Sequence, residues 1–307
     1  MRIRTRAHLA LFTVNLIYGA NYAVAKSLMP AVIGPAGFIL VRVIGASVLF
    51  WLTRSMMPER VEWSDMPRLA LCGLFGVALN QLLFFQGLMR TSPVHASIIM
   101  VATPMIVLAL SGLLIGERIT RSKVLGIALG AAGALLLLGL GAQHGQGGSS
   151  PLGDAFVLLN AISFGLFLVV VKPLMRKYSA VTVMAWSFVF GLVPVFPMGL
   201  SEALAVDWAG FTWHVWLSVL FVVIMVTFVA YLLNTWALRH VEPSVVGTHI
   251  YFQPMMAVGF AWAYVRFNVS IPGAALETPV IGPVQVLAAL AIFGGVYLVG
   301  RRSELRS

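Results

Sequence analysis

The feature that most constrains this chain is a series of apolar runs, each about 20 residues long, that recurs from one end to the other. A helix of about 20 residues crosses the roughly 30 Å of hydrocarbon in a bilayer, because each residue adds about 1.5 Å. The runs lack the alternation of period two that a membrane-spanning barrel needs, so we predict helices. The predicted spans are 8–28, 34–53, 67–89, 93–115, 121–141, 152–173, 179–199, 213–234, 244–265 and 281–300.

The composition agrees with a membrane protein. Of the residues, 60% are hydrophobic and 10% are charged, whereas about a quarter of a soluble domain is charged. The first span is too long and too polar for a removable signal peptide, so we expect it to be retained. The single cysteine, Cys72, excludes an intrachain disulfide and a cysteine metal cluster. We therefore predict an all-α, multi-pass integral protein of the cell membrane, which is the inner membrane in bacteria.

The formal charge of +10 would also suit a nucleic-acid-binding protein. The basic residues, however, lie at the ends of the apolar runs and not along one face, so we exclude nucleic acid as a partner. If the N-terminus is inside, sixteen of the twenty Lys and Arg residues fall in the inner segments; the exceptions are Lys26, Arg42, Arg90 and Arg266. This asymmetry predicts that both termini are cytoplasmic and that the number of spans is even.

The two halves of the sequence resemble each other. A Gly/Ser/Gln-rich stretch without Lys or Arg, "AQHGQGGSSPLG" (142–153), follows the fifth span. "LGAAGALLLLG" (129–139) in the first half matches "LAIFGGVYLVG" (290–300) in the second. Further matching pairs are Pro93 with Pro243, Pro104 with Pro254, and Lys26 with Lys172.

Because five spans is an odd number, the second half must enter the membrane from the opposite face. We therefore predict two inverted repeats, 1–141 and 152–307, joined by an external linker at 142–151. Lys26 would end its span at the outer mouth and Lys172 at the inner mouth. Each lysine either snorkels to the interface or attracts anionic groups at its own entrance.

Several motifs carry a family resemblance. "YGANYAVAK" (18–26) resembles the W-G-x-N-F…K start of EamA-type repeats in the drug/metabolite transporter superfamily, with Tyr18 in place of Trp. "FILVRVIGASVLF" (38–50) is similar to the second span of that family. "ATPMIVLALSGLLIGERIT" (102–120) resembles the fourth span and its closing Gly-Glu, the most specific match; the second half has "YVRFNVS" (264–270) there instead. The resemblance implies a ten-helix transporter with a central cavity that works by alternating access, often as an exporter of amino acids, metabolites or drugs.

Arg42 is the most unusual residue at membrane depth. It lies about eight residues into its span, which places it ~12 Å deep, and its counterpart in the second half is Phe188. No Asp or Glu lies in the interior of a predicted span, so carbonyls, amides, water or a substrate anion must hold it. It is therefore either a structural cap on a neighbouring helix or a site for a carboxylate or phosphate.

Amides and aromatic residues mixed along the spans suit a pocket for an amphipathic organic solute, although we expect about half of them only to join helices. With Arg42, the candidate cavity residues are Asn15, Tyr18, Asn21, Tyr22, Asn80, Gln81, Phe84, Asn160, Ser163, Trp186, Asn234, Tyr251 and Gln253.

Other residues suggest movement or packing. In the absence of an intramembrane carboxylate, the titratable groups that could carry a proton are His95 and His249. Each is expected to be a hydrogen-bonded structural histidine rather than a proton carrier. Pro104 and Pro254 are expected to bend their spans and serve as gating points. The glycine-rich fifth and tenth spans are expected to pack together, as an intramolecular seam or a dimer contact.

The leading hypothesis is a secondary transporter that moves small organic solutes, amino acids or related metabolites, by alternating access through a central cavity, with export expected. A multidrug or a nucleotide or nucleobase-type metabolite carrier is the alternative. An intramembrane enzyme is disfavoured because there is no HExxH motif, acid pair at depth or Ser-centred Gly elbow. A passive channel is disfavoured because no filter segment is visible. We expect no catalytic residue, metal or cofactor; the expected partners are a small-molecule substrate and the lipid bilayer, with the chain a monomer or a homodimer.

Overall fold

The computed structural model describes residues 3–29, 32–91, 96, 99–141, 150–267 and 283–301. The described residues form ten helices and no strand. Five of the ten are α1 (Ile3–Leu28), α2 (Pro35–Met56), α3 (Trp63–Leu88), α4 (Thr103–Ile115) and α5 (Arg121–Gly141). The other five are α6 (Pro151–Leu174), α7 (Ala180–Leu204), α8 (Trp213–Leu238), α9 (Pro243–Thr248, His249–Tyr251 and Phe252–Arg266) and α10 (Pro283–Arg301).

The helices follow the predicted spans, and the prediction of an all-α protein with ten membrane helices is confirmed. Helices α2, α3, α6, α7 and α8 are each long and apolar enough to cross a bilayer, and α4 and α10 contain shorter apolar helices. One core cluster of buried apolar side chains includes residues from all ten helices. Large apolar side chains also remain outside it, for example Leu113 at 82% exposure, as expected of helices that face lipid rather than water.

Local sequence explains several helix ends. The side chain of Ser179 accepts a hydrogen bond from the backbone N of Thr182 and so caps the start of α7. Gly116 closes α4 in the left-handed conformation, with φ of 68°, which glycine adopts without a steric cost. The glycine of the Gly-Glu motif therefore turns the chain and sets the position of Glu117.

Close helix pairs are made by small residues. A Cβ on Gly295 of α10 would lie 2.5 Å from the carbonyl oxygen of Gly126 on α5. A Cβ on Gly199 of α7 would lie 2.5 Å from the carbonyl oxygen of Ala36 on α2. The expected pairing of the fifth and tenth helices is thus an intramolecular seam in which backbones touch.

Two irregularities recur in the halves on either side of the linker. The third helix and the eighth helix each contain a π-helical segment, Gly73–Leu79 in α3 and Val222–Val229 in α8. Helix α4 begins at Thr103, directly after a turn at 101–102, and α9 contains a 3₁₀ turn at His249–Tyr251. Pro104 and Pro254 therefore do not lie deep inside continuous helices: each lies in the first turn after an interruption, where proline costs little.

Candidate functional site

Arg42 lies on α2 and is 7% exposed. Its Nε donates a hydrogen bond of 3.1 Å to Oγ1 of Thr227 on α8. Its guanidinium lies over the ring of Phe38, 5.5 Å from the ring centroid. Within the described part of the chain no carboxylate pairs with Arg42, and none of its Nη atoms makes a hydrogen bond. A buried cation in this state is costly unless a further acceptor reaches it.

The π-helical segment of α8 positions the partner of Arg42. The Oγ1 of Thr227 donates to the carbonyl oxygen of Val222, five residues earlier, at 2.8 Å and accepts from Arg42. A π-helical segment shifts the backbone hydrogen bonds by one residue, which leaves groups available to side chains, and such segments are frequent at functional sites. Thr227 was not among the predicted site residues, because one Thr in an apolar run carries no distinctive signal.

Two tyrosines lie near Arg42, Tyr18 on α1 and Tyr231 on α8. The hydroxyl of Tyr231 donates to the carbonyl oxygen of Gly76, in the π-helical segment of α3, at 3.2 Å. Tyr18 was predicted from the sequence and Tyr231 was missed. Both π-helical segments therefore contribute to a layer around Arg42, which we call the central layer: Tyr18, Phe38, Arg42, Gly76, Thr227 and Tyr231.

Two predicted residues on α6 join helices. The side-chain amide of Asn160 donates to the carbonyl oxygen of Asn80 at 2.5 Å, and the hydroxyl of Ser163 donates to that of Phe75 at 2.8 Å. Both are buried side chains that satisfy carbonyls of α3. Their geometry matches the interhelical role that we expected for about half of the polar residues in the spans.

Other predicted residues carry buried polar atoms that have no hydrogen-bond partner. These are both amide atoms of Gln81, which is 4% exposed, the Oδ1 atoms of Asn15 and Asn21, and the Nε1 atom of Trp186. Gln81 lies one helical turn before Phe85 on α3, and Phe85 packs edge-on against Phe38, with ring centroids 6.2 Å apart. Since Phe38 lies under Arg42, α3 reaches the central layer one turn after Gln81. Unpaired buried amides cost stability, and a bound solute could satisfy them.

The remaining cavity candidates lie elsewhere or have other partners. Phe84 packs edge-on against Phe85. Trp186 packs against Trp51 near the end of α2, with ring centroids 5.3 Å apart. Tyr251 is buried against Gly130 of α5 and donates to the carbonyl oxygen of Val101 at 3.1 Å. Trp186 and Tyr251 are therefore packed outside the central layer. Asn234 is buried and Gln253 is half-buried, and the side chain of Tyr22 lies outside the described residues.

Of the two predicted mouth lysines, Lys172 has defined contacts. The Nζ of Lys172 donates to the carbonyl oxygens of Leu238 and Val241, both at 2.6 Å. It therefore neither snorkels nor stands free as an anion attractor but caps the end of α8, where basic side chains are favoured. The side chain of Lys26 lies outside the described residues.

His249 is a buried structural histidine and His95 lies outside the described residues. The Nδ1 of His249 lies 2.7 Å from the carbonyl oxygen of Val245, and its Nε2 lies 3.4 Å from Nδ1 of His8. With one proton on each ring, His249 donates to Val245 and accepts from His8. The pair links α1 to α9.

Loops close the end of the molecule that the charge pattern predicts to be cytoplasmic. The carboxylate of Glu59 accepts from the backbone N and the Oγ of Ser179, at 3.0 and 2.9 Å. Burial alone would raise the pKa of Glu59, but hydrogen bonds from Thr182 and Ser179 lower it below its ordinary value. Lys177 donates to Asp65 at 2.9 Å and to Glu62 at 3.3 Å, and these hydrogen bonds raise the pKa of Lys177. The α2–α3 loop is thus bound to the α6–α7 loop.

Comparison with known proteins agrees with this architecture. The model of the EamA-like transporter family matches residues 5–139 and 151–301. The chain belongs to the EamA-like transporter family. It is therefore a multi-pass integral membrane protein and a membrane transporter.

Relatives of this EamA-like transporter are distant. It is 25% identical over 264 residues to an uncharacterized transporter of Archaeoglobus fulgidus, across 85% of this chain and 89% of that one. A second uncharacterized transporter of that organism is 26% identical over 172 residues, which span 56% of this chain and 58% of the relative. A probable terminal-alkyne amino-acid exporter of Streptantibioticus cattleyicolor is 27% identical over 54% of each chain. A crystal structure that is 19% identical covers 98% of this chain and 99% of its own with a TM-score of 0.73, and so shares the fold.

Proposed function

We propose that this EamA-like transporter moves amino acids or related carboxylate-bearing metabolites across the membrane by alternating access, with export as the expected direction. The observation that carries the proposal is Arg42, a buried arginine whose Nη atoms make no hydrogen bond within the described residues and which has no carboxylate partner there. The Nη groups of a guanidinium bind a carboxylate in bidentate fashion. A substrate carboxylate would supply the missing acceptor.

The surroundings of Arg42 suit the rest of such a substrate. Phe38 and Phe85 give apolar faces for an aliphatic or aromatic side chain, while the unpaired amide of Gln81 offers both a donor and an acceptor. Mostly apolar walls with a few fixed polar groups are typical of small-molecule sites. The relative named as a probable amino-acid exporter supports the same substrate class.

The transport cycle that we propose uses two inverted repeats, 1–141 and 152–307, with both termini cytoplasmic and the linker 142–151 outside. The paired π-helical segments of α3 and α8 and the interruptions before Pro104 and Pro254 support this arrangement. Inverted repeats of transporters move against each other around a site near mid-membrane. A reporter tag near Gln146 should be accessible from outside the cell; cytoplasmic labelling would contradict the topology.

Transport into proteoliposomes tests the substrate class. We expect saturable counterflow of amino acids, and an Arg42→Gln variant that loses about tenfold or more in kcat/KM for them, the effect of one lost charge-assisted interaction. Matched amines without the carboxylate should be affected little. Arg42→Lys should fall between the two, because lysine keeps the charge but not the planar fork.

The control is Arg68→Gln, which removes an exposed arginine at one end of α3. It should transport as the wild type does. An Arg42→Gln protein that transports the whole panel like the wild type would contradict the proposed role of Arg42. Unsaturable flux without counterflow would contradict a carrier.

A further inference from the structure

One cavity is lined by none of the residues of the central layer. It is an open cleft of about 380 Å³ between the start of α7 and the end of α8, within the size range of small-molecule pockets. Its lining is apolar apart from Ser179 and Arg239, and consists of Met175, Ser179, Ala180, Val181, Leu232, Leu233, Trp236 and Arg239. We call it the α7–α8 cleft.

The cleft runs from a helix end into the membrane region. Arg239 directly follows the end of α8 at Leu238, and Leu232 lies seven residues before Arg239. Since a helix rises 1.5 Å per residue, the apolar part reaches about 10 Å inward from the arginine. A polar rim followed by about 10 Å of apolar wall matches the change from headgroups to acyl chains at the edge of a bilayer.

The rim carries positive charge that the protein does not neutralise. Arg239 is exposed, and so is Arg176, which directly follows the cleft residue Met175. Neither has a carboxylate partner within the described ranges. The nearby carboxylate of Glu59 is occupied by Ser179, and Lys177 is paired with Asp65 and Glu62.

We propose that the α7–α8 cleft binds an anionic phospholipid, with an acyl chain against Leu232, Leu233 and Trp236 and the headgroup phosphate on Arg239 and Arg176. Charge complementarity decides the occupant. Anionic lipids bind to basic side chains next to membrane helices with about 1 kcal/mol per Lys or Arg. A zwitterionic lipid would fit the apolar part equally well but would gain less from the two arginines.

The test is thermal unfolding of the full-length protein in detergent, titrated with phosphatidylglycerol or phosphatidylcholine of the same acyl length. We expect phosphatidylglycerol to raise the unfolding temperature at lower concentration than phosphatidylcholine does. Arg239→Gln and Arg176→Gln should each weaken the apparent affinity for phosphatidylglycerol about fivefold, the factor that corresponds to ~1 kcal/mol. Arg68→Gln, an exposed arginine at the same end of the molecule, controls for general surface charge and should have no effect.

A second variant, Val181→Trp, fills the cleft without changing its charge and should weaken the binding of both lipids. Equal stabilisation by the two lipids, unchanged in Arg239→Gln, would overturn the proposal. So would equal losses in Arg68→Gln and Arg239→Gln.

Displacement of phosphatidylglycerol by transported amino acids would assign the cleft to the substrate path. Disulfide cross-linking of Val181→Cys between two chains would assign it to a second copy; the native Cys72 is buried. Because lipid binding is measured without transport, failure here leaves the proposed substrate untouched.

Discussion

Glu117 and Ser244 join the two halves of the transporter. The hydroxyl of Ser244 and its backbone N, at 3.4 Å, both donate to the Glu117 carboxylate. Lys123, at the start of α5, binds the same carboxylate at 2.5 Å. The acidic residue of the Gly-Glu motif therefore caps the first turn of α9 while it neutralises a buried lysine, and this explains why the chain places a carboxylate there.

Glu117→Ala should destabilise the protein strongly. Glu117 and Lys123 are 8% and 6% exposed, and removal of one partner of a buried ion pair typically costs about 3–5 kcal/mol because the other charge stays buried. Thermal unfolding in detergent measures the loss. Glu62→Ala, which breaks only exposed contacts with Lys177 and Ser64, should cost less than about 1 kcal/mol. Equal losses in the two variants would contradict the buried role of Glu117.

The seam between α5 and α10 predicts opposite effects for two neighbouring glycines. A Cβ on Gly295 would meet backbone atoms of Gly126 and Gly130 at 2.5 and 2.7 Å, whereas a Cβ on Gly294 would meet only Leu129, at 3.4 Å. Gly295→Ala should therefore cost about 1–3 kcal/mol by overpacking. Gly294→Ala should be neutral or stabilise by up to about 1 kcal/mol, since alanine favours helix. Unfolding temperatures of both variants decide this, and equal stability would show that the seam can widen.

The sequence was sufficient for the fold but only partly for the candidate site. Apolar runs of bilayer length predict helices whatever the tertiary contacts, because backbone groups in lipid must pair within the segment. Arg42 stands out for a similar reason, since a charge at that depth has few explanations. The pairing of α5 with α10 followed from their glycines, although Gly294 turned out to lie beside the contact.

The rest depends on helix rotation and on tertiary contacts. The segment "VVIMVTFV" (Val222–Val229) contains no Gly or Pro, so nothing local announces its π-helical geometry. Thr227 gains its role only because α8 turns its hydroxyl towards Arg42. From its position at the end of a span, Lys172 was predicted to be a charge at the mouth of the cavity. In the structure its ammonium instead donates to a carbonyl oxygen at the end of α8, a contact that the sequence does not reveal. These relations between distant segments leave no periodic signal in the chain.

The contact between Glu59 and Ser179 predicts a dependence of stability on pH. Because the pKa of Glu59 is lowered in the folded protein, its contribution is present above the ordinary value of about 4.3. That contribution is lost as the pH falls through the folded value. Glu59→Gln should therefore lower the free energy of unfolding by about 1 kcal/mol at pH 7, with a smaller difference from the wild type near pH 3. Asp207→Asn, at an exposed turn where the amide can still accept from Gly210, should show no such change; a constant difference for Glu59→Gln would contradict the prediction.

Thr227 should act on transport by positioning Arg42. Thr227→Val removes both the acceptor for Arg42 and the donor to Val222, while Thr227→Ser keeps them. If the substrate carboxylate binds Arg42, Thr227→Val should raise KM for amino acids about tenfold, which corresponds to ~1.4 kcal/mol. The KM for matched amines should change little. Thr227→Ser should have the wild-type KM. The matched control is Thr235→Val, because Thr235 is an equally buried threonine of α8 that contacts Met184 instead of Arg42. Equal losses of transport in Thr227→Val and Thr235→Val, for acids and amines alike, would mean that Thr227 only stabilises the helix.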